Sequence, residues 1–281
     1  VMMDKGVAVT LGPVFQIAIG LLLASTIMFL LWVVQRKTLN AGIVDVGWAG
    51  GTGILGVLFA FTSDGYLPRR VLVAALIGVW SARLAVHLLT DRVLGHPEEG
   101  RYQTLREKWG TKTGRKLFVF FQIQAAVALF FALPVLVVAH NTTSPLTVWD
   151  LLGSTIWVVS AGCTALADRQ LAEFKARPES RGKTCGEGLW RYSRHPNYFF
   201  EWLHWWAYAA LAVGSAYWWI PVAAPLVMLY FLLRVTGIPP TEAQALASRG
   251  DDYREYQRTT SAFVPWFPKK EAECDESDRS G

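Results

Sequence analysis

Leu11-Gly-Pro-Val-Phe-Gln-Ile-Ala-Ile-Gly-Leu-Leu-Leu-Ala-Ser-Thr-Ile-Met-Phe-Leu-Leu-Trp-Val-Val34 is a run of 24 residues without one charge, closed by Arg36-Lys37. A hydrocarbon core about 30 Å thick needs roughly 20 apolar residues of helix, so this stretch is long enough to span a bilayer. It is too long for a signal peptide, and no small-residue cleavage site follows it. Working outward, similar stretches recur at Ala41–Thr62, Val71–Thr90, Leu117–Ala139, Leu146–Ala167, Trp202–Trp219 and Pro221–Gly237. The expected fold is therefore all-α, a polytopic membrane helical bundle of about seven transmembrane helices.

Composition agrees. Of 281 residues, 52% are hydrophobic and 17% charged, below the roughly 25% charge of soluble domains. The 13 Trp exclude a disordered chain. Lys and Arg are distributed unevenly. The stretches 35–40, 91–116, 168–196 and 239–281 hold 22 of them, and the opposite side holds only Lys5, Arg69 and Arg70. By the positive-inside rule the basic loops and C-terminus face the cytoplasm and the N-terminus faces outward, as in a bacterial inner membrane or an endoplasmic-reticulum-like one. Topology thus accounts for the pI near 9.2, and no nucleic-acid partner is implied. Cys163, Cys185 and Cys274 form no disulfide framework.

Charges inside spans need a reason, because each costs about 2.5–3.5 kcal/mol on insertion scales. Asp45 lies in Ile43-Val-Asp-Val-Gly-Trp48, while Arg83 and His87 share one helical face. Gly47 and Gly51 form a GxxxG pair that admits a second helix closely. These groups read as the polar wall of an apolar pocket; the plainer alternatives are helix-to-helix contacts and, for Arg83, snorkelling to the interface.

The densest polar region surrounds Gly186-Glu-Gly-Leu-Trp-Arg-Tyr-Ser-Arg-His-Pro-Asn-Tyr198. Arg191, Arg194 and Lys175 are candidates for a phosphate-binding cluster. Pro196 suits the first turn of a helix, which sets His195 at an anion-favouring N-terminus. Asn197, Tyr198 and Glu201 follow one turn down, with Asp168 at the end of the preceding span. A juxtamembrane anchor also uses Arg, Trp and Tyr, but it has no need of Asp168, Asn197 and Glu201. Glu201-x-x-His204 has no second Glu-x-x-His, so no metal site is expected. No Rossmann or P-loop glycine pattern occurs either.

Leu189-Trp-Arg-Tyr-Ser-Arg-His-Pro-Asn-Tyr-Phe-Phe-Glu201 resembles the signature of the steroid 5-alpha-reductase C-terminal domain superfamily, more closely its bacterial branch. Ile43–Trp48, Arg101-Tyr-Gln-Thr-Leu-Arg-Glu-Lys-Trp-Gly110 and Thr236-Gly-Ile-Pro-Pro-Thr-Glu242, with Tyr253, Tyr256 and Ala262-Phe-Val-Pro265, extend the likeness over about residues 40–268. The Arg-His-Pro-x-Tyr core is shared with isoprenylcysteine and phospholipid methyltransferases. The resemblance implies an N-terminal membrane half (1–140) of four helices enclosing an apolar substrate. It implies a three-helix half binding NADPH (141–268), followed by a polar tail (269–281). By that likeness Asp168, Lys175, Tyr192, Arg194, His195, Asn197, Tyr198, Glu201, Glu242 and Tyr256 match cofactor-binding positions.

The mammalian enzymes grip the substrate ketone with a Glu in the second helix and a Tyr in the third. Here Asp45 and Trp80 fall nearest those places. The expected reaction is NADPH-dependent reduction of an activated C=C bond in a steroid or other apolar lipid, with hydride to the β carbon and a proton to the α carbon. Asp45, kept protonated by burial, is the expected donor, with Trp48, Trp80 and Arg83 shaping the pocket. Two alternatives stand beside it: an S-adenosylmethionine-dependent membrane methyltransferase and a non-catalytic lipid-binding protein. The lipid bilayer is the expected partner, and a monomer or weak oligomer the expected state.

Overall fold

A computed structural model describes residues 10–269, so Lys5, Cys274 and the polar tail beyond residue 269 lie outside the described residues. Ten α-helices occur among the described residues, joined by short 3₁₀ and π turns, with no strand. They are α1 (Pro13–Thr38), α2 (Ile43–Thr62), α3 (Leu67–Arg92), α4 (Gly100–Trp109) and α5 (Thr113–Ala139), then α6 (Val148–Ala176), α7 (Pro196–Leu211), α8 (Ile220–Tyr230), α9 (Ile238–Arg249) and α10 (Asp251–Thr259). Six stretches are long and apolar enough to cross a membrane: α1, α2, α3, Gly100–Ala139, α6 and Ile220–Arg249. Apolar side chains such as Leu22 and Leu30 on α1, and Leu151 and Val158 on α6, stand exposed. Water would disfavour so large an apolar surface, whereas hydrocarbon accepts it. The chain is an integral membrane protein.

The sixth expected span differs from its expected bounds. Trp202–Trp219 is replaced by α7, a 16-residue helix that begins earlier and ends at Leu211. Pro196 lacks an N–H and has a helical φ, so it opens the helix. Turns follow Leu211, and Gly214 at φ 90° sits in a conformation open to glycine. Two expected loops also contain helix: α4 forms within 91–116, and α6 runs on to Ala176, carrying Asp168 and Lys175.

The chain divides into two compact units that interleave in sequence. The first, residues 1–154 with 206–224, holds α1 to α5, the start of α6, the end of α7 and the start of α8. Within it α2 packs against α1, α3 and α5. Small residues permit that approach: a Cβ on Gly53 would lie 2.1 Å from Ser81 Oγ, and one on Gly47 2.3 Å from Leu31 Cδ1. Gly47 thus serves the contact to α1, as the GxxxG reading requires of a close neighbour.

Polar residues close one end of this unit. Gln16, the only amide in the opening run, donates from Nε2 to Thr62 Oγ1 at 2.7 Å and to Phe59 O at 3.1 Å. Its Oε1 meets His140 Nε2 at 2.7 Å, and His140 Nδ1 meets Asp64 at 2.7 Å. Arg69, which the sequence placed in an outer loop, is instead 1% exposed in the first turn of α3. It donates bidentately to Asp150 from Nε at 2.7 Å and Nη2 at 2.8 Å.

The second unit, residues 155–205 with 225–281, holds most of α6, α7 as far as Trp205, the later part of α8, and α9 and α10. A π turn at Phe231–Val235 separates α8 from α9. Gly237 follows it, where a Cβ would sit 2.6 Å from Leu232 O. The segment after α10 returns along the 190–195 motif: Arg194 N–H donates to Ser261 O at 2.8 Å, and Trp266 N–H to Tyr192 O at 2.9 Å.

Candidate functional site

In the second unit α6, α7, α9 and α10 each deliver polar side chains to one cluster. Glu242, in the second turn of α9, is its centre. Its Oε1 accepts from Arg194 Nε at 2.7 Å and lies 3.3 Å from His195 Nε2, while its Oε2 accepts from Gln257 Nε2 at 2.9 Å. One carboxylate therefore offsets a guanidinium and orients an imidazole. Arg194 Nη1 also donates to Thr260 O at 2.7 Å and Gln257 O at 3.1 Å, the carbonyls at the end of α10. This is the placement a helix C-terminus favours for a cation. Arg194 is thus largely engaged in holding α9 and α10 to the motif.

His195, 3% exposed, stacks on Tyr198 with ring centroids 5.3 Å apart and planes 8° from parallel. Tyr198 in turn places its hydroxyl 3.3 Å from Thr241 Oγ1. The local backbone follows from sequence: Ser193 Oγ accepts from His195 N–H at 3.1 Å and donates to Phe263 O at 2.9 Å. Beside them Asn197 Nδ2 donates to Asp168 Oδ1 at 3.0 Å, joining α6 to the start of α7. Glu201 is half-buried one turn beyond Asn197.

Tyr256 donates its hydroxyl to the carbonyls of Trp190 and Ser193, the latter at 3.2 Å. Burial holds this phenol well above the usual tyrosine range. Tyr253 is pushed up to about 12, chiefly by burial and then by the neighbouring Glu242 carboxylate. Both hydroxyls stay protonated donors at physiological pH.

Not every expected residue joins the cluster. Lys175 is exposed on the last turn of α6. Tyr192 is half-exposed and packs edge-on against Phe267, 6.1 Å between centroids. Gln257, Ser193, Thr241 and Tyr253 belong to the arrangement without having been singled out as cofactor positions. The last lies in the tail motif, which was the available signal. A cavity of about 360 Å³ opens beside Arg194, Arg258, Lys269, Trp266 and Phe267.

In the first unit two side chains meet Asp45. Arg101 Nη2 donates to its Oδ2, and Tyr102 O–H lies 3.1 Å from both oxygens. Arg101 Nε also pairs with Glu99 at 2.7 Å. One carboxyl is thus held between a guanidinium and a phenol, which fixes the Tyr102 hydroxyl beside it. The signal for Arg101 and Tyr102 was their motif, which carried no assigned role. Trp48 meets Trp80 edge-on at 6.0 Å and Phe131 at 5.8 Å, forming an aromatic wall. Trp48 Nε1 is buried with no hydrogen-bond partner among the described residues. Arg83 is half-buried on α3, one turn from Trp80.

No group of three or more His, Cys, Asp or Glu residues suited to a metal ion occurs among the described residues. No curated protein and no solved structure matches the chain. Residues 31–260 match the family described as "Protein of unknown function (DUF1295)", a stretch that takes in every site residue from Asp45 to Tyr256, and the chain belongs to that family.

Proposed function

We propose that this membrane protein is a reductase using NADPH to saturate an activated C=C bond in an apolar lipid, a 3-oxo-Δ4 steroid being the substrate class. The observation that carries the reading is the cluster in which Glu242 of α9 meets Arg194 and His195 before α7 and Gln257 of α10. The family is associated with steroid 5-alpha-reductase-like proteins. The residues present suit the cofactor: Arg258 and Lys269 line the cavity beside the cluster with cationic groups for phosphate, and Trp266 and Phe267 offer faces for a base. Asn197, Asp168 and Tyr198 provide the directional polar groups.

When bound, NADPH supplies the hydride. The chain supplies the remainder. Trp48 Nε1–H, a buried donor without a partner among the described residues, suits a substrate carbonyl on which negative charge develops. Tyr102 packs into the same apolar core, and Asp45 with Arg101 holds its hydroxyl in place. That phenol is the group with a proton to give the α carbon, and Asp45 is its positioning residue. The aromatic wall of Trp48, Trp80 and Phe131 excludes water. The basic loops face the cytoplasm, where NADPH is found.

Calorimetry of the purified protein against NADPH and against S-adenosylmethionine tests the reading. NADPH is expected to bind, and Asn197→Ala to weaken it about tenfold by removing a charge-assisted bond. Loss of reduced-nicotinamide absorbance is expected with a panel of enone lipids. Binding of S-adenosylmethionine alone overturns the proposal in favour of a methyltransferase. NADPH binding without turnover across the panel overturns it in favour of a lipid-binding protein.

A further inference from the structure

The corner between α4 and α5 carries a second cavity, of about 680 Å³, lined by Trp109, Lys112, Arg115, Lys116, Val119, Phe120 and Ile123 among others. Its wall changes character along α5. Lys112, Arg115 and Lys116 are exposed at the helix start, and from Leu117 to Ala139 no charge occurs. Arg115 to Ile123 spans about 12 Å of helix axis, close to the depth from a phosphate to the upper acyl chain.

The cations at this corner differ from the arginines nearby. Arg106 is paired with Glu98 at 2.7 Å, Arg92 with Glu99 at 3.1 Å and Arg101 with Asp45 and Glu99. Among the described residues no carboxylate forms an ion pair with Lys112, Arg115 or Lys116. Lys116 instead lies over the Trp109 ring, its Nζ 5.6 Å from the centroid. Tryptophan and unpaired cations side by side, with an apolar wall beneath, are what a lipid headgroup region selects.

We infer that this cavity binds one anionic phospholipid, its phosphodiester held by Lys112, Arg115 and Lys116 and an acyl chain laid along Val119, Phe120 and Ile123. Charge complementarity selects an anion, and the apolar lower wall selects a lipid over a free phosphate. The site is independent of the reductase reading and of the cluster around Glu242.

The test uses the full-length protein extracted with an equimolar mixture of phosphatidylglycerol and phosphatidylcholine, with retained lipid counted by native mass spectrometry. Wild type is expected to retain phosphatidylglycerol preferentially. The variant combining Lys112→Ala, Arg115→Ala and Lys116→Ala is expected to lose that retention about tenfold or more while eluting as the same species. The single Arg115→Gln variant, milder for folding, should show a partial loss. Added inorganic phosphate is expected to leave the lipid in place. Equal retention of both lipids by wild type, undiminished retention by the triple variant, or displacement by inorganic phosphate overturns the inference.

Discussion

At Glu242 one carboxylate does the work of several contacts. It lies 16% exposed by side chain and faces Arg194, His195 and Gln257 at once. Removing one partner of a largely buried pair leaves the other charge uncompensated. Glu242→Gln is therefore expected to cost about 2–3 kcal/mol, below the full cost of a fully buried pair because some water remains. Thermal unfolding in detergent reads the loss, and NADPH binding should weaken with it. An unchanged melting temperature would remove Glu242 from the centre of the site. The residue was visible in the tail motif, but its partners were not. Arg194 looked like a free phosphate ligand, because a sequence does not show that its guanidinium closes the end of α10.

Among the elements, α4 shows where local patterning ceases to inform. A window tuned to apolar runs registers lipid exposure, so a short polar helix inside a basic stretch is invisible to it. What anchors α4 is tertiary: Arg101 and Tyr102 meet Asp45 on α2, and Arg106 meets Glu98. Asp45→Asn removes the charge facing Arg101 and leaves a weaker acceptor. Since Arg101 is 38% exposed and screened, about 1 kcal/mol of local stability is expected to be lost. Amide exchange in α4 should quicken about fivefold, with the remaining helices unaffected. Unaltered exchange would mean that α4 is held by its apolar contacts to α5. The boundary of α7 belongs to the same scale. Pro196 predicted its start, but its end at Leu211 lay within an apolar run that continues through Trp219.

For the whole molecule, the uneven distribution of Lys and Arg sets an expected orientation. Single cysteines at Thr143 and Arg181, in a variant lacking the native thiols, place labels on the two proposed sides. A membrane-impermeant maleimide applied to intact cells is expected to label Thr143→Cys and spare Arg181→Cys; the reverse pattern would invert the topology. The membrane character and most of the spans were legible because transfer of apolar side chains into lipid is additive along the chain and needs no partner. The same reasoning located the costly charges, Asp45, Arg83, Asp168 and Glu201. Which donor meets which acceptor depends on residues far apart in sequence: Arg69 with Asp150, Arg194 with Glu242, Asn197 with Asp168. Hydrogen bonds are directional and short, so only the packing of helices decided those pairs, and with them that Asp45 meets Arg101 and Tyr102.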